Sequence, residues 1–146
     1  MIRTFVMIGI VGLAALTGCA VTEKVPLPPL PVDGREVTWP DVLVRLRSQA
    51  TQANEAFYID NWEILTQTSK DLGQTAAFLP KASDIPEARK AVLVAMSASL
   101  IDDSRKLLEA AQAKDKNILL MNETLQRIHL SIRNLAANQD GTGRRK

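Results

Sequence analysis

The feature that most restricts this chain is an apolar repeat near its end. Ile118, Met121, Leu125, Ile128, Ile132 and Leu135 recur at alternating spacings of three and four residues. That rhythm gathers all of them on one side of an α-helix, whereas on a strand it would scatter them over both faces. A helix with one apolar side needs another surface to cover it. Three earlier segments offer one. Leu43, Leu46, Ala50, Ala53 and Phe57 form a stripe after Thr38, which has the chemistry of a helix cap ahead of Trp39, Pro40 and Asp41. Continued in phase, that stripe would meet Asp60, Ile64, Gln67 and Asp71, so the first helix is expected to end near Tyr58. Trp62, Leu65, Ser69, Leu72, Ala76 and Leu79 begin a new stripe. Asp60 with Glu63 makes a capping-box pattern before it, and Pro80 closes it.

Asp84 and Glu87 repeat the cap spacing with Pro86 between them, which predicts a third helix from Ile85 to about Ala113. Its apolar side reads Leu93, Met96, Leu100, Leu107 and Ala111, with Val92 and Ser99 beside it and Asp103 or Ser104 near it. Asp115 is the expected cap of the fourth helix. Four amphipathic helices with short connections predict an all-α fold, an antiparallel up-down-up-down four-helix bundle over residues 38–138. Bundles of this kind pair readily through an exposed stripe, so a homodimer is possible.

Ahead of this domain the chain changes character twice. Arg3 is followed by an apolar run from Phe5 to Leu16 and then by the small residues Thr17 and Gly18, the layout of a secretory signal. The run is far short of the roughly 20 residues that cross a bilayer as a helix. Leu16, Thr17, Gly18 and Cys19 resemble the lipobox of bacterial lipoproteins, and Cys19 is the only cysteine. The resemblance implies a signal peptide over residues 1–18, cleavage before Cys19 and lipidation of Cys19. It also implies a lipid-anchored, periplasm-facing place in the cell envelope, and Ala20 in place of an inner-membrane retention aspartate points to the outer membrane. Residues 19–37 then read as a linker carrying Pro26, Pro28, Pro29 and Pro31, extended at about 3 Å per residue. Residues 139–146, ending Gly141 to Lys146, read as a flexible basic tail.

The chemistry suggested by composition is sparse. Lys and Arg number 18 against 16 Asp and Glu, so no face is expected to bind nucleic acid. With one histidine, no glycine-rich phosphate loop and no second thiol, catalytic residues are not expected and the chain does not read as an enzyme. Glu55, Asp60 and Glu63 read as capping and solvated acids, Asp102 or Asp103 as one half of an interhelical ion pair, and Gly73 as a point of close helix approach.

The exception is His129 with Leu130, Ser131, Ile132 and Arg133. This stretch resembles the last helix of cytochromes of the c-prime and b562 type, four-helix bundles in which a haem-ligating histidine is followed by an aromatic residue and an arginine. Ile132 stands where the aromatic would be. Leu125 and Ile128 occupy the places of the two haem-attachment cysteines, so no thioether can form. The resemblance implies His129 and Arg133 as candidate haem-binding residues. Two readings follow: a haem-free bundle without cofactor, acting as a non-catalytic binding or structural module with an envelope protein partner, or a non-covalent haem b protein for electron transfer or small-gas binding.

Overall fold

A computed structural model describes residues 37–140. Among these the chain is all-helical: α1 (Trp39–Tyr58), α2 (Trp62–Ala76), α3 (Glu87–Gln112) and α4 (Ile118–Asp140), with a single 3₁₀ turn at Leu79–Lys81 and no strand. Each helix packs on the next, and α4 packs back on α1. No helix among the described residues is long and apolar enough to cross a membrane. The expected signal and lipobox, most of the expected linker and the end of the expected tail lie outside the described residues.

The four apolar stripes meet in one core. Leu43, Leu46, Ala50 and Ala53 from α1, Leu65 and Leu72 from α2, Leu100 and Leu107 from α3, and Met121, Leu125, Ile128 and Leu135 from α4 are all at most 1% exposed. Three residues expected on or beside the stripes fall outside it, Ser99 among them, and Trp62 and Met96 are only partly buried. Ile118 is 49% exposed and Val92 55% exposed, each near the start of its helix on a side that no other helix covers. Val37, at the end of the expected linker, is instead buried, and α4 continues to Asp140.

The α1 cap is as expected. The Thr38 hydroxyl accepts from the Asp41 N–H, and the Asp41 carboxylate accepts from the Thr38 N–H, closing a capping box. The other starts differ from expectation. Asp60 does not cap α2; it takes the left-handed backbone at φ 55°. The Asp60 N–H donates to the Phe57 carbonyl and the Asn61 N–H to that of Ala56, the paired bonds of a Schellman ending. Asn61 then caps α2, its Oδ1 accepting from the Ile64 N–H at 3.1 Å. One residue thus finishes α1 and starts α2.

α2 stops at Ala76 rather than Leu79, because the Pro80 ring clashes with the carbonyl four residues back, which is that of Ala76. α3 starts at Glu87, not Ile85, with no side-chain cap. Asp84 is engaged elsewhere: its Oδ1 accepts from the Trp39 N–H at 2.6 Å, tying the α2–α3 connection to the start of α1. At α4 the cap is Asn117 rather than Asp115, its Oδ1 accepting from the Leu120 N–H at 3.0 Å. Lys116 donates to the carbonyls of Ala111 and Ala113 at the end of α3, where a cation suits the helix dipole.

Gly73 sits inside α2 facing Ser104 of α3. A Cβ built there would lie 3.6 Å from the Ser104 Cβ, ordinary van der Waals contact, so the approach does not require glycine. Gly73→Ala is therefore expected to stabilise the fold by about 0.5–1 kcal/mol through reduced chain entropy in the unfolded state. A urea midpoint that moves downward in this variant would refute the space found at this position.

Candidate functional site

His129 and Arg133 stand one turn apart on α4, and the fold brings them to the same groove. This depression of about 460 Å³ lies between α1 and α4 and is lined by Arg47, Thr51, His129, Leu130, Ile132, Arg133 and Ala136. The i, i+4 spacing of Arg47 and Thr51 matches that of His129 and Arg133, so each helix presents a pair to the groove. Arg47 and Arg133 are exposed and His129 is half-buried. The Thr51 hydroxyl donates to the Arg47 carbonyl at 3.0 Å, which turns it along its own helix. No ion pair engages either guanidinium among the described residues. The groove therefore offers positive charge above the apolar atoms of Leu130, Ile132 and Ala136, a setting that suits a carboxylate or phosphate joined to an apolar group.

Arg47 and Thr51 were not expected from the sequence. They come from a helix some eighty residues away and carry no local motif. The nearest signal was their place beside the core positions Leu46 and Ala50.

The same residues can be compared with what a haem between the helices would need. The side chains behind the groove fill the seam: Leu46 and Ile128 are 0% exposed and Leu125 is 1% exposed. The groove contains no methionine or second histidine to face the iron from the other side. Among the residues that line the groove, His129 is the one with a side chain that ligates haem iron.

The second polar feature lies between α3 and α4. Asp103 is buried, and its Oδ1 accepts from Arg127 Nε at 3.0 Å. The Arg127 guanidinium also donates to the Thr124 hydroxyl at 2.9 Å, and that hydroxyl donates to the Leu120 carbonyl at 2.7 Å. This is the interhelical ion pair expected for one of the two adjacent acids. Asp102 turns the other way and bonds Lys106 at 2.6 Å and Arg105 at 2.7 Å on its own helix. Those two cations, Lys106 first, hold its carboxyl below the usual carboxylate range. A lowered folded-state pKa stabilises above the unfolded value and ceases to do so as the pH falls through the folded one.

Glu55, Asp60 and Glu63 are all exposed around the α1–α2 turn. Among the described residues no three His, Cys, Asp or Glu side chains gather closely enough to hold a metal ion. Cys19 lies outside the described residues. No family model, curated protein or solved structure matches this chain.

Proposed function

We propose that this chain is a lipid-anchored lipoprotein of the bacterial cell envelope, whose haem-free bundle of the cytochrome c-prime type serves as a non-catalytic binding or structural module. The observation that carries the reading is the sequence Leu16, Thr17, Gly18, Cys19 at the end of the apolar run, with the chain's only cysteine in the modified position. The periplasmic side of the outer membrane is the place we assign it, and the basic α1–α4 groove is the face we assign to an acidic group on an envelope partner.

The proposed helix order is up-down-up-down and antiparallel. Two contacts support it. Lys116, in the α3–α4 connection, lies over the Trp62 ring at 5.7 Å, beside the α1–α2 turn. The Ser83 N–H, in the α2–α3 connection, donates to the Val37 carbonyl at 3.1 Å, beside the start of α1.

Cys19→Ala is the direct test. A single acyl chain holds a protein only marginally, while two or more give stable anchoring, so the parent is expected in the membrane fraction. The variant is expected to keep its signal segment uncleaved or to lose lipid, seen as a mass change and failure to incorporate labelled fatty acid. A variant that is processed and labelled like the parent would end the lipoprotein reading.

The haem-free reading has its own check. Haemin added at one equivalent is expected to give no sharp Soret shift, and His129→Ala is expected to change the unfolding free energy by less than about 0.5 kcal/mol, the usual size at a site outside the core. One-to-one binding that disappears in His129→Ala would restore the haem b alternative.

A further inference from the structure

α3 carries a second stripe, distinct from its core side, that no other helix covers. Glu87, Ala91, Val94, Ala98, Ile101 and Arg105 recur at alternating spacings of four and three, and every one is exposed. The core stripe of the same helix, Leu93, Ser97, Leu100, Ser104 and Leu107, is buried on a different side. Between Lys90 and Asp102 the helix has no charged residue at all. Three turns of a solvent-facing helix would ordinarily be set with charge. On this face Val94 is 53% and Ile101 40% exposed, with Ala91 and Ala98 beside them. This is the composition of a packed seam.

We propose that the face is closed by α3 of a second copy of this chain, running antiparallel about a two-fold axis near Met96. The order of residues selects both the occupant and the direction. In this register Val94 lies opposite Ala98 of the second copy and Ala91 opposite its Ile101, so each larger side chain meets a small one. At either end Glu87 of one copy lies opposite Arg105 of the other. A parallel pairing would instead set Glu87 on Glu87 and Arg105 on Arg105.

The end charges have partners within their own helix, Glu87 with Lys90 at 2.5 Å and Arg105 with Asp102 at 2.7 Å. Each end of the seam therefore joins two neutral pairs. A single helix pair gives an interface at the low end of the specific range, so association in dilute solution is weak. Copies held on one membrane surface meet at a far higher effective concentration. The seam is argued from α3 alone, while its test in membranes rests on the lipid anchor proposed above, and chain missing from the membrane fraction would count against that anchor rather than the seam.

The test uses the full chain in isolated membranes, with two differently tagged copies expressed together. One carries Val94→Cys and the other Ala98→Cys. Mild oxidation is expected to join them at least about tenfold faster than two copies carrying Gln74→Cys on the exposed side of α2, because only a facing pair meets disulfide geometry. Copies without an added cysteine report any joining through Cys19. Adding Glu87→Arg to both copies, or Arg105→Glu to both, is expected to slow the reaction about tenfold by placing like charges opposite each other.

Both reversals together are expected to restore it. The pairs within each helix stay broken in the combined variant, so only contact between copies explains the recovery. A 94-to-98 bond no faster than the α2 control, or a combined variant as slow as the single ones, would overturn the seam.

Discussion

Leu125→Ala is expected to lower the unfolding free energy of the chain from residue 37 to residue 140 by about 3 kcal/mol. Leu125 is 1% exposed in the middle of α4, and the positions one turn before and after it, Met121 and Ile128, are each 0% exposed. Truncation removes apolar atoms from contact and leaves a space that the surrounding helices fill only in part. Dispersion contacts are lost with no partner on the far side. Leu130 provides the comparison, being one residue past His129 and 47% exposed. Leu130→Ala is expected to cost less than about 0.5 kcal/mol. Against the 5–15 kcal/mol typical of such domains, about 3 kcal/mol is a large fraction. Urea unfolding followed by circular dichroism separates the two cases, and equal midpoints for both variants would remove Leu125 from the core.

Arg127→Ala is expected to cost about 2 kcal/mol for a reason unrelated to packing. The Asp103 side chain is 8% exposed while that of Arg127 is 44% exposed, so water reaches one member of the pair and hardly reaches the other. Removing the guanidinium leaves a carboxylate shut away from both water and its charged donor. Fully buried pairs lose about 3–5 kcal/mol in such a change, and the exposure of Arg127 reduces the figure here. The diagnostic step is to remove both charges. Asp103→Leu with Arg127→Met is expected to recover most of the loss, since apolar side chains of similar size carry no desolvation cost. A double variant as unstable as Arg127→Ala would place the loss elsewhere.

The helices were legible in the sequence because each stripe is a local pattern: Leu43 to Phe57 or Met121 to Leu135 can be read without knowing what covers it. Boundaries were less legible. Thr38 capped as expected because Asp41 answers it within one turn. Asp84 offered the same spacing, yet its carboxylate is taken by the Trp39 N–H, 45 residues away. Asn61 and Asn117 make the caps where the acids Asp60 and Asp115 were expected, and Asp60 instead takes the left-handed position that ends α1. α3 was hardest to read, since its core side includes Ser97, whose hydroxyl donates to the Ala76 carbonyl at 2.7 Å, as well as Asp103. Those residues look like a break in the pattern until their partners on α2 and α4 are known. In the groove, His129 and Arg133 were readable as one turn of one helix. Arg47 and Thr51 became part of it only when α1 came alongside α4.

The entry point of the chain into the domain has a mechanical consequence. A pull arriving from residue 36 does not act on the free end of α1. It first meets the Ser83 bond to the Val37 carbonyl and the Asp84 bond to the Trp39 N–H, with the Val37 and Trp39 side chains buried behind them. Ser83 and Asp84 belong to the segment joining α2 to α3, so tension passes at once into those helices instead of peeling α1 from its first turn. The domain thus meets a pull on Val37 as one body, through two hydrogen bonds that join the start of α1 to the α2–α3 segment.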